Sequence, residues 1–244
     1  MPINFASLFQ DSWNFMRNQT QFTLFGIALL AIFPIIIFSL FPSAELNPQQ
    51  LQSEQNLALL AQTMIPTIIS SAISVFINIL LIINIQAISN GSFQRFFNLT
   101  GMALKAFFPV LLLTLFMVMP ISFALSFGGV AMQSNNVGLL LLPLMVVGIF
   151  VFVKLSLVSY AYLIEKPQKS IFDTLKFTWQ LSRGKMVSLL IFCMLTYLLP
   201  SFISAAIAGV AGSILSQIAS AVLNLFIVIF SVRFYQVYRQ LPAK

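Results

Sequence analysis

LIEKPQKSIFDTLKFTWQLSRGK, residues 163–185, is the longest interruption between apolar runs on the basic side of this chain, and its reading decides the fold. It carries five of the twelve Lys and Arg residues: Lys166, Lys169, Lys176, Arg183 and Lys185. The apolar runs on either side are near 20 residues long, the length a helix needs to cross a hydrocarbon core about 30 Å thick. Barrel strands would be about 10 residues with strict alternation, which is absent here. Of 244 residues, 59% are hydrophobic and 7% charged, with a mean hydropathy of +0.99. Soluble domains carry about 25% charged residues. The chain is therefore read as an all-α membrane protein.

From the N-terminus, NFASLFQDSWNFMRNQ (4–19) places Phe5, Leu8, Phe9, Trp13 and Met16 at helical spacing on one apolar face. This describes a helix lying in the membrane surface or one packed against the ends of a bundle. The first span covers 22–41 and contains Pro34; it is too long for the apolar core of a cleavable signal peptide. Asn47 and Pro48 form an N-cap and N1 pair that starts the next helix, which passes Pro66 and spans to about residue 88. Residues 89–105 are a second surface segment, with Phe93, Phe96, Phe97 and Leu104 on one face. The third span, 106–127, holds Pro109 and Pro120, and an uncharged QSNN loop (133–136) precedes the fourth, 137–163. That span ends in Tyr160 and Tyr162, as in an interfacial aromatic belt. The fifth span covers 186–209, a tight turn falls at Ala211, Gly212 and Ser213, and the sixth span ends near Tyr235.

The three surface segments align on Trp13, Phe97 and Trp179, at spacings of 84 and 82 residues. Phe9, Phe93 and Leu175 then coincide, as do Arg17 and Arg183, while Gly101 breaks the match in the middle copy. Pro34 and Pro200 each follow their Trp by 21 residues, and Pro120 follows Phe97 by 23. The expected architecture is one membrane domain, 1–244, with six transmembrane helices in three pseudo-repeated units, about 4–88, 89–163 and 164–240. Each unit is a cytoplasmic surface helix followed by a helical hairpin. Repeats of this kind place a shared path or cavity on the repeat axis in many transporters; any six-helix protein built of hairpins would show similar spacing.

Charge sets the expected orientation. With the N-terminus, 89–105, 163–185 and the C-terminus on one side, that side holds eleven of the twelve basic residues, and the other side holds Glu45 and Glu54. The positive-inside rule makes the basic side cytoplasmic. The net charge of +7 is thus a topology and lipid signal, and no nucleic acid partner is implied.

Few constellations carry chemistry. The chain has no His, a single Cys (Cys193, inside a span) and five acids, none within a span. No catalytic triad, metal site or intramembrane carboxylate relay can be assembled, so neither an enzyme nor a cofactor is expected. Lys154 is the one charge expected inside a span, roughly 13 Å from its cytoplasmic end at 1.5 Å per residue. It reads as an anion contact in a polar groove or as a snorkelling lysine. Asn78 and Asn224 lie mid-span, where amides usually bond to another helix. Ser201, Ala205 and Gly209 form a small-residue stripe suited to close helix packing. Trp13, Arg17, Trp179 and Arg183 are candidate headgroup contacts on the surface helices.

FQDSWNFMRNQ (9–19), together with TLKFTWQLSRGK (174–185), resembles the YciC-like family of bacterial inner-membrane proteins; the run from Asp11 to Gln19 is the specific part. The resemblance implies inner-membrane placement and a multi-spanning chain near this length, and it carries over no catalytic residue or substrate. The unit style also looks distantly like the membrane domain of some glycerophosphodiester phosphodiesterases, which points to a lipid context by analogy. Three functions are consistent with these features: lipid handling or envelope homeostasis in the inner membrane, a scaffold or assembly factor for envelope proteins, and a small-solute transporter or channel. The phospholipid bilayer is the expected partner, with other envelope proteins in the scaffold case. Cysteine labelling is expected to place residues 50 and 134 outside and residue 168 inside; labelling of residue 168 from the outer face would overturn this topology.

Overall fold

The computed structural model describes residues 3–40, 56–93, 95–131 and 138–241. The helix start expected at Asn47 and Pro48 and the QSNN loop lie outside the described residues. Helix α1 (Phe5–Asn18) starts at Asn4, whose Oδ1 accepts the Ser7 N–H at 3.2 Å. Helix α2 (Thr20–Leu40) follows almost directly, and the Thr23 hydroxyl donates to the Met16 carbonyl at 2.8 Å across the joint. Then come α3 (Asn56–Ser89), a 3₁₀ turn (Phe96–Leu99) and α4 (Thr100–Ala131). Helix α5 (Gly138–Leu155) breaks at Ser156 and Leu157 before α6 (Val158–Ile164). Helices α7 (Ile171–Leu181) and α8 (Met186–Cys193), a π turn (Met194–Leu198) and α9 (Leu199–Tyr238) complete the chain. Among the described residues, six stretches are long and apolar enough to cross a membrane: Thr20–Ile37, Met64–Ser89, Phe96–Ser126, Pro143–Ile164, Met186–Ile207 and Ser216–Tyr238.

Helix α9 is helical throughout yet folds back on itself. Ser220 Oγ lies 3.4 Å from Ser204 Oγ, and Phe192 stacks on Phe234 at 4.4 Å. A straight helix would hold residues 16 apart at about 24 Å. These contacts are symmetric about residues 211–213, where the small residues Ala211, Gly212 and Ser213 were expected to turn the chain.

The opening stretch of sequence folds as its residues dictate. Ser170 caps α7: its Oγ accepts the Asp173 N–H at 3.2 Å and donates to Asp173 Oδ2 at 2.6 Å. The pair satisfies a free helix N–H and places a carboxylate in the positive first turn. Gly184, at φ +71°, ends the segment in the left-handed region that glycine enters freely.

Several expectations are corrected. The middle surface segment is not a helix: Asn90 and Gly91 (φ +69°) form a turn, and the chain enters α4 through the short 3₁₀ turn. Phe96 is buried, whereas Phe97 and Leu104 are exposed, so they share no packed face. No surface helix therefore stands ahead of α4, as the expected unit of surface helix plus hairpin required. On α1 the covered face is Leu8, Ser12, Phe15 and Met16, and Trp13 is 58% exposed. The helix packs alongside the last span, Phe9 stacking on Phe226 and Phe230. Ser201 and Ala205 of the small-residue stripe are exposed, so these two do not pack against another helix of the chain. Close helix packing occurs instead between α4 and α5. A Cβ on Gly148 would lie 3.0 Å from the Pro120 carbonyl oxygen and 3.1 Å from Ile121 Cα.

Both Gly148 neighbours are backbone and cannot swing aside. Gly148→Ala is expected to destabilise by about 1–3 kcal/mol, the usual cost of overpacking, despite the roughly 1 kcal/mol by which Ala is the better helix former. Gly101, with nothing within 4 Å of its would-be Cβ, is the control: Gly101→Ala should unfold no lower than the parent. Thermal unfolding in detergent checks both, and a Gly148→Ala melting temperature at or above the parent's would refute the tight crossing.

Candidate functional site

A cavity of about 580 Å³ lies inside the bundle and is lined from all six spanning stretches. Leu30 and Pro34 come from α2, Ser74 and Asn78 from α3, and Thr114 from α4. Ser156, Ser159 and Tyr160 come from the broken fourth span, Thr196 and Tyr197 from the π turn, and Asn224 from the last span. The size is that of small-molecule sites generally. Among the described residues, no charged one lines it.

Local structure explains how these side chains reach the interior. Pro200 has no N–H to donate, so the preceding turn widens into the π turn that carries Thr196 and Tyr197. At the break between α5 and α6, the Ser156 hydroxyl donates to the Val153 carbonyl at 2.8 Å. Thr114 donates to Val110 and Thr196 to Phe192, each at 2.8 Å. Hydroxyls that give their protons to the backbone keep only acceptor capacity, so this part of the lining is rich in acceptors. A second cavity of about 300 Å³ adjoins it, sharing Leu30, Pro34 and Asn224 and adding Ser204, Ser216, Gln217 and Ser220. Gln217 Oε1 is buried there without a hydrogen-bond donor. Asn224 itself is exposed, marking where the bundle is open.

The two mid-span amides of the sequence, Asn78 and Asn224, are therefore brought to one cavity. Tyr160, expected in an interfacial belt, lines this cavity as well. Lys154 lies elsewhere. It sits in the last turn of α5, 9% exposed, with Nζ 4.3 Å from the Trp179 ring centre and 5.1 Å from that of Phe150. The two rings meet edge to face at 6.0 Å. Ring faces and the free carbonyls at a helix C-terminus both stabilise a cation. This contact docks α7 onto α5. Arg17 and Arg183 are exposed, one turn beyond Trp13 and Trp179.

Sequence reasoning missed two polar groups. Asn84 is fully buried in α3, donating from Nδ2 to the Leu80 carbonyl at 2.8 Å and the Phe96 carbonyl at 3.1 Å, which pins the 3₁₀ turn. Its signal was the same as that of Asn78, a lone amide in an apolar run. Arg233 lies within the last span, so Lys154 is not the lone cation there. Near it, the basic end is tied by Tyr235 and Arg239, which donate to Glu165 Oε1 at 2.7 and 3.2 Å, and by Gln236 bonded to Gln86 at 3.1 Å. Lys185 Nζ donates to the Leu241 carbonyl, and burial pushes its pKa down. Among the described residues no group of His, Cys, Asp and Glu comes together as a metal site.

Fold and cavity define a multi-pass membrane protein. The chain is 27% identical over 245 residues to a protein of Haemophilus influenzae strain Rd described as uncharacterized, an alignment covering 98% of this chain and 99% of that one. No family model and no solved structure matches.

The Lys154–Trp179 contact makes a quantitative prediction. In a double-mutant cycle of Lys154→Met and Trp179→Leu, the coupling read from unfolding should be about 0.5–2 kcal/mol. Trp13→Leu should stay within about 0.5 kcal/mol of the parent, as exposed substitutions do. Additive behaviour of the first pair would show that the cation and ring contribute nothing to each other.

Proposed function

We propose that this protein handles phospholipid in the bacterial inner membrane, its intramembrane cavity receiving a polar headgroup while the acyl tails stay in the bilayer. The observation that carries this reading is a neutral polar cavity to which every spanning stretch contributes and in which Thr114, Ser156 and Thr196 keep acceptor capacity. Polar groups in hydrocarbon cost free energy unless they find partners. Such a lining suits a ligand that supplies donors, as hydroxyl and ammonium headgroups do. The absence of charge from the lining argues against ion-coupled solute transport, which relies on ionisable groups inside the membrane. The opening at Asn224 lets a headgroup enter with its tails outside. With the basic end cytoplasmic, Lys166, Lys169, Lys176 and Arg183 of the α7 region face anionic lipid, each such residue near a negative leaflet contributing about 1 kcal/mol.

The test is lipid movement in proteoliposomes. The purified chain should speed the exchange of a fluorescent phospholipid between leaflets, and Asn78→Leu with Asn224→Leu should return the rate towards that of empty vesicles without lowering the melting temperature. Wild-type vesicles that behave like empty ones would sink the movement reading and favour a scaffold.

A further inference from the structure

At the basic end, α1 closes a third concavity, of about 490 Å³, against the ends of α3 and α9. Its lining includes Asp11, Asn14, Phe15, Asn18 and Gln19, five residues of the nine-residue run from Asp11 to Gln19. The facing wall supplies Ser89 and Arg233. It shares no lining residue with the central cavity, so what it binds is independent of whether that cavity moves lipid.

Two charges of opposite sign face this space without pairing. Asp11 and Arg233 form no ion pair with each other; among the described residues the ion pair at this end of the bundle is Arg239 with Glu165. Arg233 is held rather than neutralised. Its guanidinium lies 5.2 Å from the Phe15 ring centre, its Nη1 makes a long 3.5 Å contact with Gln236, and its Nε is buried without an acceptor. Arg233 as a whole is half-buried and lines the concavity, so an anionic oxygen there would find a charge-assisted donor in its guanidinium. Depth points to a lipid. Ser89 ends one spanning stretch, and Arg233 lies less than two turns from the end of another, so the concavity sits where headgroups lie.

We propose that this concavity binds the headgroup of a zwitterionic aminophospholipid, phosphate at Arg233 and primary ammonium at Asp11, with the amides of Asn14, Asn18 and Gln19 completing the hydrogen bonds. A headgroup without a cation leaves Asp11 unpaired. A quaternary ammonium has no N–H to give it.

Native mass spectrometry of the full chain, offered equal phosphatidylethanolamine, phosphatidylglycerol and phosphatidylcholine, tests the site. Phosphatidylethanolamine should be retained about tenfold over the other two, the scale of one charge-assisted hydrogen bond. Asp11→Asn, at an exposed position that the fold does not need, should erase the preference over phosphatidylglycerol. Arg233→Gln should lower retention of all three. Equal retention of the three lipids by the parent, or an unchanged preference in Asp11→Asn, would overturn the proposal. Displacement of bound lipid by soluble glycerophosphoethanolamine at matching concentration would overturn the lipid as ligand and assign the site to a free solute.

Discussion

Phe234 stacks at once on Phe5 of α1 at 5.8 Å, Phe192 of α8 at 4.4 Å and Tyr238 one turn further on at 5.4 Å. Inside a bilayer the hydrophobic effect does not push helices together, because lipid is as apolar as leucine; close packing has to do it. Aromatic pairs contribute about 0.5–1.5 kcal/mol beyond the area they bury, and this ladder joins three elements distant in sequence. Phe9 extends it up the last span to Phe230 and Phe226. Where the rings give way to Asn224, Ile227 and Val228 the packing opens, and the central cavity begins. The ladder therefore sets both the closure of the basic end and the depth of the polar space above it.

The polar side chains divide into two kinds. Many Ser and Thr side chains spend their protons on carbonyls a turn away, as Ser12 does to Leu8 at 2.7 Å and Thr178 to Thr174 at 2.8 Å. Such bonds make a hydroxyl cheap to bury and help helices bend. Amides have more capacity than one turn can satisfy. Asn84 spends its N–H groups on the Leu80 and Phe96 carbonyls and so holds the 3₁₀ turn, but its Oδ1, like Gln217 Oε1 beside the cavity, is buried without a donor.

Hydropathy made the six spans legible, and the small residues near 212 made the last turn legible, because both are local properties. The orientation of α1 was not. In a membrane chain, positions facing lipid and positions facing protein are both apolar, so Trp13 and Phe15 cannot be ranked by periodicity. The middle segment failed for a local reason: the Asn90–Gly91 turn leaves too few residues before α4 for a surface helix. Lys154 under Trp179 and Arg233 against Phe15 are contacts between elements, and a single sequence carries no signal for which cation meets which ring. Asn78 and Asn224 were visible one at a time; their common cavity was not.

The distribution of charge follows from where water is available. A basic side chain at the bilayer centre costs about 2.5–3.5 kcal/mol on insertion scales. Of the three cations within the spanning stretches, Lys105 is exposed near the start of its own, and the other two each have an aromatic face against the charge: Lys154 has Trp179 and Phe150, and Arg233 has Phe15. Neither lines the central cavity. Under the proposed lipid-handling role this separates two tasks that one site could not perform together. Charge discrimination needs full charges, and these are tolerable near the end of a span, where Asp11 stays exposed and Arg233 is half-buried. Accommodation of a headgroup deeper in the bundle needs partners that bind weakly enough to let go, and neutral acceptors fill that role where a fixed charge would trap an opposite one. The neutral interior and the charged rim are thus two consequences of one constraint, the cost of desolvating charge.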